Sequence, residues 1–133
     1  MGYYQDIAGN PLQRDCHDLA VDVIATMRIV QREHKEFDLT RQLIRSVLSI
    51  GSNLAESKGA NSTDMLVSKM EIAYREVCES RFQVSVLVES DLLEREVGAD
   101  LDRRLDSLAA RLYSGIRRLR TENNNHGEHS RFR

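Results

Sequence analysis

Residues 39–93 constrain this chain more than any other stretch. They hold two long apolar-periodic runs separated by a short polar break, Lys58-Gly59-Ala60-Asn61-Ser62. Apolar residues recurring every three or four positions mark one face of a helix. Two such runs joined by a few polar residues predict an antiparallel helical hairpin. In the first run Leu43, Val47, Ile50 and Leu54 step by four, three and four. Ile44, Leu48, Gly51 and Ala55 form a second stripe one position on. In the second run, residues 63–93, Leu66, Met70, Ala73, Val77, Val84 and Leu87 make the main seam. Met65, Ile72, Phe82 and Val86 make a second apolar edge.

The same period continues on either side. Residues 12–34 place Leu12, Cys16, Leu19, Val23, Met27 and Val30 on one face, and Pro11 suits the start of a helix. The opposite face, with Asp15, Asp18 and Asp22, reads as solvated surface, and Phe37 is expected to tuck into the end of the fold. Residues 100–122 carry Leu101, Leu105, Leu108, Leu112, Ile116 and Leu119, with aspartates at the start and arginines at the end. That order of charge complements the helix dipole. Four such runs, one proline and no tryptophan predict an all-α protein. The expected architecture is an antiparallel up-down-up-down four-helix bundle over residues 12–122. Residues 1–11 read as a flexible arm and residues 123–133 as a disordered tail.

The breaks carry their own signals. Asp38 is the expected N-cap of the second helix and Ser62 that of the third. Gly59 is placed to end the second helix in a left-handed cap. Gly98 is expected to close a short turn before the fourth helix. Gly51 in mid-helix costs about 1 kcal/mol relative to alanine, which predicts close approach of a neighbouring helix.

Chemistry is sparse. A di-iron bundle needs Glu-x-x-His on each of two helices, and the chain has no such tetrapeptide. Cys16 and His17 are adjacent and so point to different sides of a helix, while His126 and His129 lie in the tail. No zinc spacing and no glycine-rich phosphate loop is present. Cys16 and Cys78 read as reduced thiols packed as small hydrophobes, which fits a reducing cytoplasm. No run approaches the ~20 apolar residues that span a bilayer. These readings predict no catalytic residues, no metal, no cofactor and no membrane partner.

Three surfaces remain. Arg41, Arg45, Asn53, Glu56, Glu76 and Glu79 form a polar seam beside the apolar stripes. In a hairpin centred near Ala60, Arg45 is expected to reach Glu76 or Glu79, and Arg41 to reach Glu79, with Asn53 and Glu79 little exposed. A ligand pocket at the seam is the alternative reading. Ile44, Leu48, Met65, Ile72, Phe82 and Val86 exceed what one bundle can bury, which predicts a subunit interface. Residues 111–133 hold six arginines against two glutamates, including Arg111, Arg117, Arg118 and Arg120. This end complements the helix dipole, or it contacts nucleic-acid phosphates.

Gln42-Leu43-Ile44-Arg45, Ser49-Ile50 through Asn53-Leu54-Ala55-Glu56, Ile72-Ala73 and Glu79 carry a family resemblance. Together they resemble the four-helix-bundle family encoded in intervening sequences of bacterial 23S ribosomal RNA genes. Accessory proteins of diversity-generating retroelements share that fold. The resemblance covers residues 16–119, and its most specific part is Ser-Ile-x-x-Asn-Leu-Ala-Glu. The chain departs from the pattern at Gly51, where the family commonly has proline. It also has Ser57 in place of glycine and Arg75-Glu76 in place of a Gly-Ser pair. The resemblance implies a small cytoplasmic bundle, often a homopentamer, without established enzymatic activity. The retroelement relatives bind a reverse transcriptase and nucleic acid through basic surface, whereas this chain has a net charge of -2. The expectation is a non-enzymatic scaffold or adaptor that binds itself and a further protein, with nucleic-acid binding as the alternative.

Overall fold

In a computed structural model the described residues, 2–131 with side chains through 125, fold into five helices without strands. They are α1 (Tyr3–Asp6), α2 (Pro11–His34), α3 (Asp38–Ser57), α4 (Thr63–Glu89) and α5 (Arg95–Arg131). α2 begins with Pro11 in its first turn, and the Asn10 side chain accepts the Gln13 N–H at 3.1 Å. Its core face is Gln13, Cys16, Leu19, Val23, Met27 and Val30. It ends at Lys35, whose left-handed backbone (φ 56°) lets its N–H reach the Gln31 carbonyl.

The start of α3 differs from expectation. Phe37 occupies the cap position and makes no side-chain bond there. The cap is supplied by Glu36, whose carboxylate accepts the N–H groups of Leu39 (2.8 Å) and Thr40 (3.1 Å). The longer glutamate reaches both free donors from one residue further back, so Asp38 is not needed. Phe37 is not tucked in: it is 42% exposed, beneath the Arg41 guanidinium. Gly59 is not left-handed either, because α3 ends through Lys58 in ordinary helical backbone. Ser62 does cap α4, accepting the Met65 N–H at 3.1 Å.

α4 buries Val67, Met70, Ala73, Val77, Ser80, Val84 and Leu87. Leu66, expected in the seam, packs only partly against the core, and Val67 takes the buried place. A steady three-to-four spacing back from Ala73 selects 70 and 67. The helix ends at Glu89, short of residue 93. Asp91 turns left-handed (φ 58°), and Leu92 and Leu93 donate to the Leu87 carbonyl. α5 then starts at Arg95, so Gly98 is a helical residue and not a turn. It lets α5 lie directly against Val88, whose Cγ2 a β-carbon at this position would overlap.

The core runs through α2, α3, α4 and α5 without interruption, from Leu19 and Met27 to Leu105, Leu108 and Leu112. α3 and α4 pack most extensively, followed by α4 with α5 and α2 with α3, while α2 and α5 touch least. Polar links join the neighbours. Gln13 Nε2 donates to the Gly51 carbonyl at 3.0 Å, and Gln31 Nε2 to Thr40 Oγ1 at 3.0 Å. Lys69 meets Glu56 at 2.7 Å, and Arg81 holds both Asp102 and Asp106. Two of the α2 aspartates read as solvated surface are exposed and also bridge the α2–α5 seam: Asp15 pairs with Arg111 and Asp22 with Arg104, each at 2.8 Å.

Both ends hold more structure than expected. Ile7 is 1% exposed, and the Tyr4 hydroxyl donates to Asp18 while its ring lies against His17 and under Arg14. One buried aliphatic side chain and one tyrosine anchor the arm. At the other end α5 continues to Arg131, because no proline interrupts the run, and Asn123 approaches Asp64. Phe132 and Arg133 lie outside the described residues.

Candidate functional surface

The polar seam does not form the expected network. Asn53 Nδ2 donates to the Ser49 carbonyl at 2.8 Å within its own helix, and Ser46 and Ser57 likewise bond back along α3. Glu56 pairs across the hairpin, but with Lys69. Arg45 makes no ion pair with Glu76 or Glu79, and Arg41 none with Glu79; Arg45 acts on Glu76 only as a more distant attraction. Glu79 is exposed, contrary to expectation, and accepts a 3.4 Å bond from Gln83. The reason is geometric. Core residues occupy the line where α3 and α4 meet, so charges beside that line turn outward on both helices. Glu76 is half-buried, and burial, then the adjacent Glu79 carboxylate, pushes its pKa above the usual carboxylate value.

The six apolar residues do not form one patch. Phe82 is 69% exposed beside a groove between α4 and α5, lined by Cys78, Val88, Gly98 and Ala99. Leu48 is 45% exposed at a separate groove between α2 and α3, with Tyr3, Ala20 and Ala55. Met65 is 46% exposed, whereas Ile44, Ile72 and Val86 are half-buried.

At the basic end two of the four named arginines are paired with carboxylates. Arg111 is held by Asp15 and Arg120 by Glu71. Arg117 lies over the Tyr113 ring, 6.0 Å from its centroid, and Arg118 is exposed.

The cysteines differ from each other. Cys16 is buried, and desolvation pushes its thiol up to about 12, so it stays protonated. Cys78, read as packed, is exposed, because it falls one position past the Val77 seam. Among the described residues no three His, Cys, Asp or Glu side chains gather as a metal would require. Nor is any helix among them long and apolar enough to cross a membrane.

Comparison with known families matches residues 11–114 to the 23S rRNA-intervening sequence protein family. The chain belongs to that family. This 23S rRNA-intervening sequence protein is also similar to a solved structure from Bacteroides thetaiotaomicron, described as a protein of unknown function from the S23 ribosomal protein family. The two share 26% identity with a TM-score of 0.77, over 79% of this chain and 97% of the other. No curated protein gives a significant match. The matched region takes in the Ser49–Glu56 stretch and most of α5, but the α1 arm lies outside it. Sequence reasoning missed Gln13, the one buried link from α2 to Gly51. Its only signal was a polar residue three positions before Cys16 on the same face.

Proposed function

We propose that this family member is an antiparallel up-down-up-down bundle of α2–α5 acting as a non-enzymatic scaffold. It assembles with copies of itself into a ring of five and presents that assembly to a macromolecular partner in the cytoplasm. The bundle reading is supported by the links: Gln13 near the start of α2 meets Gly51 late in α3, and Gln31 late in α2 meets Thr40 at the start of α3. The observation that carries the assembly reading is the exposure of Phe82, Met65 and Leu48. Contiguous apolar surface marks interfaces, and Phe82 and Leu48 each sit at a groove with further apolar lining instead of standing alone. Phe82 and Leu48 lie at different grooves, which suits the contact a ring requires, one face of each subunit meeting a different face of the next.

Light scattering and sedimentation over a range of protein concentrations test this. The expected mass is that of five chains, and Ile72→Glu with Phe82→Glu should give helical monomers. A wild-type mass of one chain at every concentration sinks the reading. The nucleic-acid reading has less support, because two of its four arginines are already bound to carboxylates. It would gain the advantage if the chain were retained on RNA, lost steeply with added salt, and released by Arg117→Gln with Arg118→Gln.

A further inference from the structure

Four charges with no opposite charge within ion-pair distance lie on two outward stripes. On α3 the stripe is Phe37, Arg41, Arg45 and Leu48, stepping by four, four and three. Arg41 lies over the Phe37 ring, 5.4 Å from its centroid, so the two share one face. On α4 the stripe runs backward from Phe82 through Glu79 and Glu76 to Ile72, stepping by three, three and four. Among the described residues Arg41 and Arg45 have no carboxylate within 4.0 Å, and Glu76 and Glu79 have no cation within that distance.

Placed side by side in opposite directions, the stripes match in order and in chemistry. Arginine falls opposite glutamate twice, an aliphatic opposite an aliphatic, and an aromatic opposite an aromatic. The single chain cannot use this match, because its own α3 and α4 meet along Val47, Ile50, Ala73 and Val77 and turn both stripes outward. Glu76 shows the shortfall: it is half-buried beside another carboxylate, and the distant pull of Arg45 and Arg75 does not offset the burial.

We infer that the outward face of α3 in one protomer docks antiparallel on the outward face of α4 in another copy, with Arg41 meeting Glu79, Arg45 meeting Glu76 and Leu48 meeting Ile72. Phe37, 42% exposed, and Phe82, 69% exposed, then meet at one end. The inference rests on the self-association proposed above and adds its faces and register. The two ion pairs set the register, since a slip of one position keeps only one of them and sets the remaining charges against apolar groups, and the apolar pairs at either side exclude water.

Charge reversal tests it. One variant carries Arg41→Glu and Arg45→Glu, a second carries Glu76→Lys and Glu79→Lys, and a third carries all four changes. Each two-site variant should associate at least about tenfold more weakly than wild type in sedimentation. The four-site variant, in which every pair is again opposite in sign, should recover the wild-type mass. Circular dichroism checks helicity, and Arg45→Gln and Glu76→Gln replace any reversal that loses it, with a smaller weakening expected. If wild type assembles and the two-site variants assemble equally well, self-association stands and this interface is overturned. If the two-site variants weaken and the four-site variant does not recover, the pairing is overturned. A monomeric wild type removes both.

Discussion

Gly51 and Gly98 both sit inside helices, and only Gly98 needs to be glycine. A β-carbon at Gly98 would overlap the Val88 Cγ2 methyl, whereas one at Gly51 would rest 3.6 Å from Cys16 Cβ in ordinary contact. Gly98→Ala should therefore cost about 1–3 kcal/mol through overpacking. Gly51→Ala should be neutral or gain up to about 1 kcal/mol from helix propensity. The urea midpoint should fall for Gly98→Ala and hold or rise for Gly51→Ala. Glu76 carries a pH dependence. Its folded-state pKa is raised, so the folded chain holds that proton more tightly than the unfolded one. The resulting stability is full below the unfolded value of 4.5 and lost as pH rises through the folded one. Glu76→Gln should thus gain stability relative to wild type on going from acid to neutral pH. Parallel curves for the two chains, measured at low protein concentration, would contradict this.

Helix ends show where the sequence was legible and where it was not. The apolar period identified all four long helices and nearly every core residue, because burial along a helix repeats with the helix itself. Ser62 was legible because a cap serine acts within three residues. The α3 cap was not: Asp38 has the right chemistry, but Glu36 accepts the free Leu39 and Thr40 N–H groups from further back. Glu36→Ala should cost on the order of 1 kcal/mol, and Asp38→Ala only a few tenths through the helix dipole. Equal losses in thermal unfolding would return the role to Asp38. The Arg45–Glu76 contact was misread for a related reason. Position along the hairpin gave the right neighbours, but position around each helix, which decides who touches, turned both outward. Gln13 and the α2 aspartates needed the fold itself, since their partners lie dozens of residues away.

Across the whole molecule the packing is uneven. α3 and α4 form the spine, α2 and α5 flank it, and the seam between α2 and α5 is the thinnest. That seam relies on ion pairs whose side chains are between 30% and 57% exposed, a class that contributes modestly to stability. The fold therefore rests on the apolar core. Phe82, Met65 and Leu48, and the charges of α3 and α4 that have no ion-pair partner, lie outside that core.

The thin seam also sets an order of events in time. Every other large interface joins helices adjacent in sequence, so only a short loop must close to form it, whereas Asp22 and Arg104 lie 82 residues apart. Loop closure of that length is deferred in folding, and chains dominated by local contacts fold fast. The transition state should contain the α3–α4 pair and leave α2 and α5 still apart. Leu19, buried at the α2–α5 groove, is the probe. Leu19→Ala should cost about 2–5 kcal/mol, and nearly all of it should show as faster unfolding, with the refolding rate close to wild type.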